Sequence, residues 1–260
     1  MHQWICIGIS LAMLLGCHKT MTPIYGGMHY PERAHAGTVD VHASGSAVKR
    51  MRSMSTVTAP GADRSMWSGA LNLTPQLTQH LALPLEAQIS PIGLGEPGYD
   101  VVTRVGARFV YKCSDSNINC DDQQRASDTT FAVGFGGGPN VQISEGPQGQ
   151  LMRAYGWNID SEFGTAQRLN EMSFHLLGRF GYYNNQATAS ALWSTVMAGL
   201  GFHPSSAQII SLGVRVGLGT VLESRDDKLI ELVQEMGAQL TWSIRFGASE
   251  SPHDQKSDSL

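Results

Sequence analysis

Charge is scarce in this 260-residue chain: Asp, Glu, Lys and Arg make up 15% of it, against ~25% in ordinary soluble domains. The 18 basic residues are outnumbered by 22 acidic ones, for a net charge of -4, so there is no basic face to serve nucleic acid as a partner. Beyond residue 15 no run approaches the ~18 apolar residues of a spanning helix; if the chain crosses a membrane, it does so with strands. The nine histidines contain no H-E-x-x-H and no G-x-S-x-G is present, which removes the usual signatures of zinc and serine hydrolases. His175 and His203 read as packing or rim residues. The glycine-rich residues 134–139 lack the Lys and the helix of a phosphate cradle, and read as a strand bend or tight turn. Residues 115–119 open like a calcium loop, but Cys120 and Ala126 stand where its glycine and bidentate carboxylate belong. No cofactor, metal or catalysis is expected. The one basic cluster, Lys49, Arg50, Arg52 and Arg64, reads as a solvated loop.

The four cysteines are placed unevenly. Cys6 and Cys17 lie within the first 17 residues, where an apolar stretch over 5–15 ends in Gly16 and Cys17; this is the form of a removable export signal. The ending Leu14, Leu15, Gly16, Cys17 resembles the lipobox of bacterial lipoproteins, without the positive flank usual ahead of it. That resemblance implies cleavage before Cys17 and acylation of the cysteine in an exported, membrane-anchored protein. Residues 1–16 are then signal and 17–36, broken by Pro23, Gly26, Gly27 and Pro31, a lipid-anchored tether. Cys113 and Cys120 remain, in a polar stretch whose spacing closes a small disulfide loop in an oxidising compartment.

From Thr38 the pattern becomes period two, as strands with unlike faces require. Tyr99, Val101, Thr103, Val105, Ala107, Phe109 and Tyr111 share one face; Asp100, Arg104, Gly106 and Arg108 share the other. Near the C-terminus Ile210, Leu212, Val214, Val216 and Leu218 oppose Ser211, Gly213, Arg215 and Gly217, and the stretch from Ile230 to Phe246 answers across a polar turn at 223–228, forming a hairpin. Weaker alternations cover 39–47, 67–73, 81–89, 131–135, 151–157, 174–182 and 192–202. Residues 228–236 also fit a short helix, and 160–177 is ambiguous.

Period two alone leaves open whether the apolar face meets lipid or a soluble core. The polar face decides: it is poor in Lys and rich in Gly, with Arg and Glu interspersed, as a narrow barrel lumen favours. Glu86, Arg104, Arg108, Arg215, Glu231, Glu235 and Arg245 are the candidates for a charge network inside it. The ending from Ala238 to Phe246, with Leu240, Trp242, Ile244 and Phe246 alternating, resembles the C-terminal assembly signal of bacterial outer-membrane β-barrels, although 14 residues follow the final aromatic here. The resemblance implies insertion by the barrel assembly machinery among outer-membrane lipid. The expectation is an all-β, antiparallel up-and-down β-barrel of 8–10 strands over residues 37–246, with a disordered polar tail at 247–260. Its role would be structural, adhesive or that of a small pore. The alternative is a lipid-tethered soluble barrel or sandwich on the periplasmic face, binding an apolar ligand or an envelope protein.

Overall fold

A computed structural model describes residues 36–55, 64–91, 98–112, 129–145, 149–185, 189–223 and 229–247. The expected signal, the tether up to residue 35, the cysteines Cys17, Cys113 and Cys120, and residues 248–260 lie outside these. Eleven strands follow one another: β1 Val39–Ser55, β2 Arg64–Pro75, β3 Leu81–Ala82, β4 Leu85–Pro91, β5 Gly98–Lys112, β6 Thr129–Glu145, β7 Leu151–Leu169, β8 Met172–Asn185, β9 Ala189–Ser205, β10 Gln208–Glu223 and β11 Leu229–Phe246. Among the described residues there is no helix. Residues 229–236, which also fitted a helix, are strand, and the ambiguous 160–177 is the end of β7, a turn and the start of β8. Tertiary pairing on both sides of each strand overrides the local preference in both places.

β3 and β4 form one stave, since both pair with β5 around a break at Leu83 and Pro84. The Leu83 N–H still donates to the Pro75 carbonyl at 3.0 Å and the Gly106 N–H to that of Pro84 at 2.9 Å, so register survives the break. Each stave pairs antiparallel with its neighbours in the chain, and β1 pairs with β11 from Val39↔Phe246 to Ser55↔Glu231. The result is a closed ten-stave antiparallel barrel. Following one hydrogen-bonded row around it, from Val39 through Pro75, Leu83, Ala107, Phe135, Ser161, Phe180, Ser194, Leu218 and Gln234, returns to β1 at Met51. The displacement is 51 minus 39, or 12 residues, which for ten staves sets a strand tilt of about 40°.

The apolar face points outward. Leu212 and Val214 are each 60% exposed, Leu240 55%, Val216 51% and Trp242 50%, whereas Arg215 beside them is 1% exposed. A soluble barrel with an apolar core requires the reverse. Aromatic side chains crowd both ends of this face. Trp67, Tyr99, Tyr155, Trp157 and Tyr182 lie toward the end away from the termini, where Trp67 meets Tyr99 at 6.3 Å and Trp157 meets Tyr182 at 5.2 Å between ring centroids. Tyr111, Phe131, Phe174, Phe202 and Phe246 lie toward the termini. Tyr99 and Tyr111 on β5 are 12 residues apart (111 minus 99), a height of about 30 Å at this tilt.

The strand order also places the connections. β1 starts and β11 ends at one end of the barrel, and the two-residue turns Asn170-Glu171 and Ser206-Ala207 lie there; Asn170 takes the left-handed φ of 57° that so tight a hairpin needs. β5 ends at Lys112 and β6 begins at Thr129 at this same end.

Candidate functional site

The interior is lined by the polar parity of every strand. On β4, β5, β7 and β8 these positions carry Glu86, Arg104, Arg108, Asp160, Glu162 and Arg179, all buried. Arg104 Nε donates to both carboxylate oxygens of Asp160, at 2.8 and 2.9 Å, while its Nη2 lies 3.4 Å from Glu162 Oε2. Arg108 Nε donates to Glu162 Oε1 at 2.5 Å. Arg179 clamps Glu86 with two bonds, Nη1 to Oε1 at 3.3 Å and Nη2 to Oε2 at 3.1 Å, and its Nη2 donates to Glu162 Oε2 at 3.1 Å. Glu162 is thus the hub of three arginines, and the six charges cancel. Cancellation is what makes so many ions tolerable away from water.

Two of these pairs, Arg104 with Asp160 and Arg108 with Glu162, step over a strand, β6. Arg108, Gly134, Glu162 and Arg179 occupy one hydrogen-bonded row across β5, β6, β7 and β8, and the first ion pair passes across β6 because Gly134 has no side chain. A Cβ on Gly134 would lie 2.6 Å from Glu162 Oε1, and one on Gly136 2.5 Å from Arg104 Nε. The glycine run expected as a bend or turn is therefore the interior of a continuous strand. Its sequence records the side chains that cross it.

Of the residues singled out from sequence, Glu86, Arg104 and Arg108 lie in this cluster. Arg215 and Glu235 sit apart from it, at 3.6 Å from each other on β10 and β11. Arg245 is elsewhere again, near the termini, donating to Asp40 at 2.8 and 3.0 Å. Glu231 lies on β11, its backbone opposite Ser55 and Val221, with its side chain outside the described set. Asp40, Asp160, Glu162 and Arg179 escaped the sequence reading. Asp160 and Glu162 alternate with Ile159 and Phe163, a period-two signal masked by the helical ambiguity of that stretch.

The opposite wall is built from shorter groups. Ser46 and Ser68 share a hydrogen bond of 2.5 Å, Gln239 Nε2 donates to Thr241 Oγ1 at 3.0 Å, and His42 Nδ1 lies 2.7 Å from Ser243 Oγ. His203 Nε2 is 2.9 Å from Ser173 Oγ, so both His203 and the buried His175 face the interior. Trp193 fills the space over Gly219. Among the described residues no three His, Cys, Asp or Glu side chains group as metal ligands. Lys49 is exposed on the outward face of β1.

No protein-family profile and no curated protein matches the chain. Among solved structures it is similar to Neisserial surface protein A, with 10% identity, TM-score 0.40, and coverage of 81% of this chain and 99% of that one. It is similar also to an outer membrane channel from Pseudomonas putida F1, at 12% identity and TM-score 0.37 over 88% of this chain and 100% of that one. A third is the outer membrane protease OmpT from Escherichia coli, at 5% identity and TM-score 0.31 over 80% and 95%.

Proposed function

We propose that this protein is an integral barrel of a bacterial outer membrane, without catalysis, whose role is structural or adhesive, with Cys17 as an added lipid anchor. The observation that carries the reading is the outward apolar face between two aromatic zones. Its height of about 30 Å matches the hydrocarbon thickness of a bilayer, and tyrosine and tryptophan favour the interface where a ring is half wet. A water-soluble protein leaving such a surface bare would aggregate. The cross-linked interior argues against an open pore, since buried arginines and carboxylates occupy the middle of the lumen.

Extraction of membranes containing Cys17→Ala tests this. Retention in carbonate or urea, together with heat-modifiable migration, is expected; release of a folded soluble domain overturns the reading in favour of a tethered soluble module. A second measurement uses adjacent positions of opposite parity. Val214→Arg puts a charge into lipid and is expected to cost about 2 to 4 kcal/mol of folding stability in liposomes, although the neighbouring position already holds an arginine. In planar bilayers the purified protein is expected to show no steady conductance.

A further inference from the structure

Between the pairs Val102↔Asn140 and Val105↔Gly137 the β5–β6 ladder lapses. The cause is Pro139, which has no N–H to give the Thr103 carbonyl. Asn158 on β7 supplies the substitute: its Nδ2 donates to the Thr103 carbonyl at 3.1 Å and to the Gly138 carbonyl at 2.9 Å. On the outside, Thr103 Oγ1 donates to the Pro139 carbonyl at 2.8 Å. Direct β5–β6 side-chain contact is sparse here, since Gly106 faces Gly136 and Val105 faces Gly137, and glycine contributes no cross-strand contact; the Arg104–Asp160 and Arg108–Glu162 pairs pass over the seam to β7 instead. Four residues along, the partners Tyr99 and Ile143 line an outward groove of about 430 Å³ with Trp67 and Leu151.

We infer that the β5–β6 seam is a latched lateral opening in the barrel wall, with the Asn158 carboxamide as the latch. When Asn158 rotates away, the Thr103 carbonyl loses its substitute donor, and the side chains left to tie β5 across the glycine run are Thr103 on the outside and Arg104 and Arg108, reaching over to β7, on the inside. The gap lies beside the groove, so parting the seam joins the interior above Arg104 to the lipid-facing side.

Hydrogen exchange read by mass spectrometry on the full-length protein, folded in detergent micelles, tests the latch. In the wild type, amides of residues 103–107 and 135–138 are expected to exchange faster than those of Val214, Val216 and their β11 partners. Asn158→Ala is expected to speed the seam by about tenfold or more, the scale of one buried hydrogen bond, with β10 and β11 unchanged. Pro139→Val, which returns the missing N–H, is expected to slow the seam in the wild type and to cancel the effect of Asn158→Ala. Equal wild-type exchange in the two regions, or acceleration by Asn158→Ala that is uniform around the barrel, overturns the inference. Should Asn158→Ala not fold, the Pro139→Val single variant decides it: slower seam exchange supports the latch and unchanged exchange overturns it.

Discussion

Two arcs of the barrel solve the same problem differently. Along β4, β5, β7 and β8 the interior is joined by arginines and carboxylates long enough to bridge a strand; along β11, β1 and β2 the contacts, whether hydroxyl, imidazole and amide groups or the ion pair of Arg245 with Asp40, reach only a neighbour. The longer reach imposes a requirement of its own, since whatever strand is crossed must be bare, and β6 is bare at Gly134 and Gly136. A short-range wall makes no such demand. The difference shows that glycine in a barrel strand can reflect the chemistry of the strands on either side rather than any need for a turn.

Breaking the hub separates the arcs most strongly. Glu162→Ala leaves Arg108 without its carboxylate and withdraws one from Arg104 and Arg179, and is expected to cost about 3 to 5 kcal/mol or more in urea unfolding from liposomes. Gly136→Val tests the bareness requirement directly. Its Cβ meets Arg104, so a loss of about 1 to 3 kcal/mol is expected, smaller if Arg104→Met is present as well. The short-range wall supplies the baseline: Ser46→Ala removes one hydroxyl from the Ser46–Ser68 pair, with an expected loss of about 1 kcal/mol or less. Equal losses for Glu162→Ala and Ser46→Ala would erase the distinction.

The strands legible in the sequence were those whose two faces differ in kind at every step. β5, running from Tyr99 to Tyr111, β10 from Ile210 to Leu218 and β11 from Met236 to Phe246 show period two without interruption, and their outward residues are largely the exposed ones; the start of β11, where Gln234 breaks the alternation, also fitted a helix. β7 was obscured because Asp160, Glu162, Gly164 and Ala166 mix charge with small residues on the inward side. The end of β6 was obscured because Pro139 and three glycines imitate a turn, and only the partner side chains Asn158, Arg104 and Glu162 explain them. Charge pairing was the least legible property. Arg104 and Glu86 are opposed in register, yet Arg104 binds Asp160, 56 positions away, and no local spacing reveals a partner that lies beyond an intervening strand.

The pairing of β1 with β11 has a consequence for biogenesis. The opening strand of the sheet finds its second neighbour only when the last has been synthesised, so until then both edges carry unsatisfied N–H and C=O groups that cannot enter hydrocarbon unescorted. Closure therefore depends on the most distant pairing in the sheet, and a product cut short before β11 would leave β1 and β10 as open edges of the kind that aggregate.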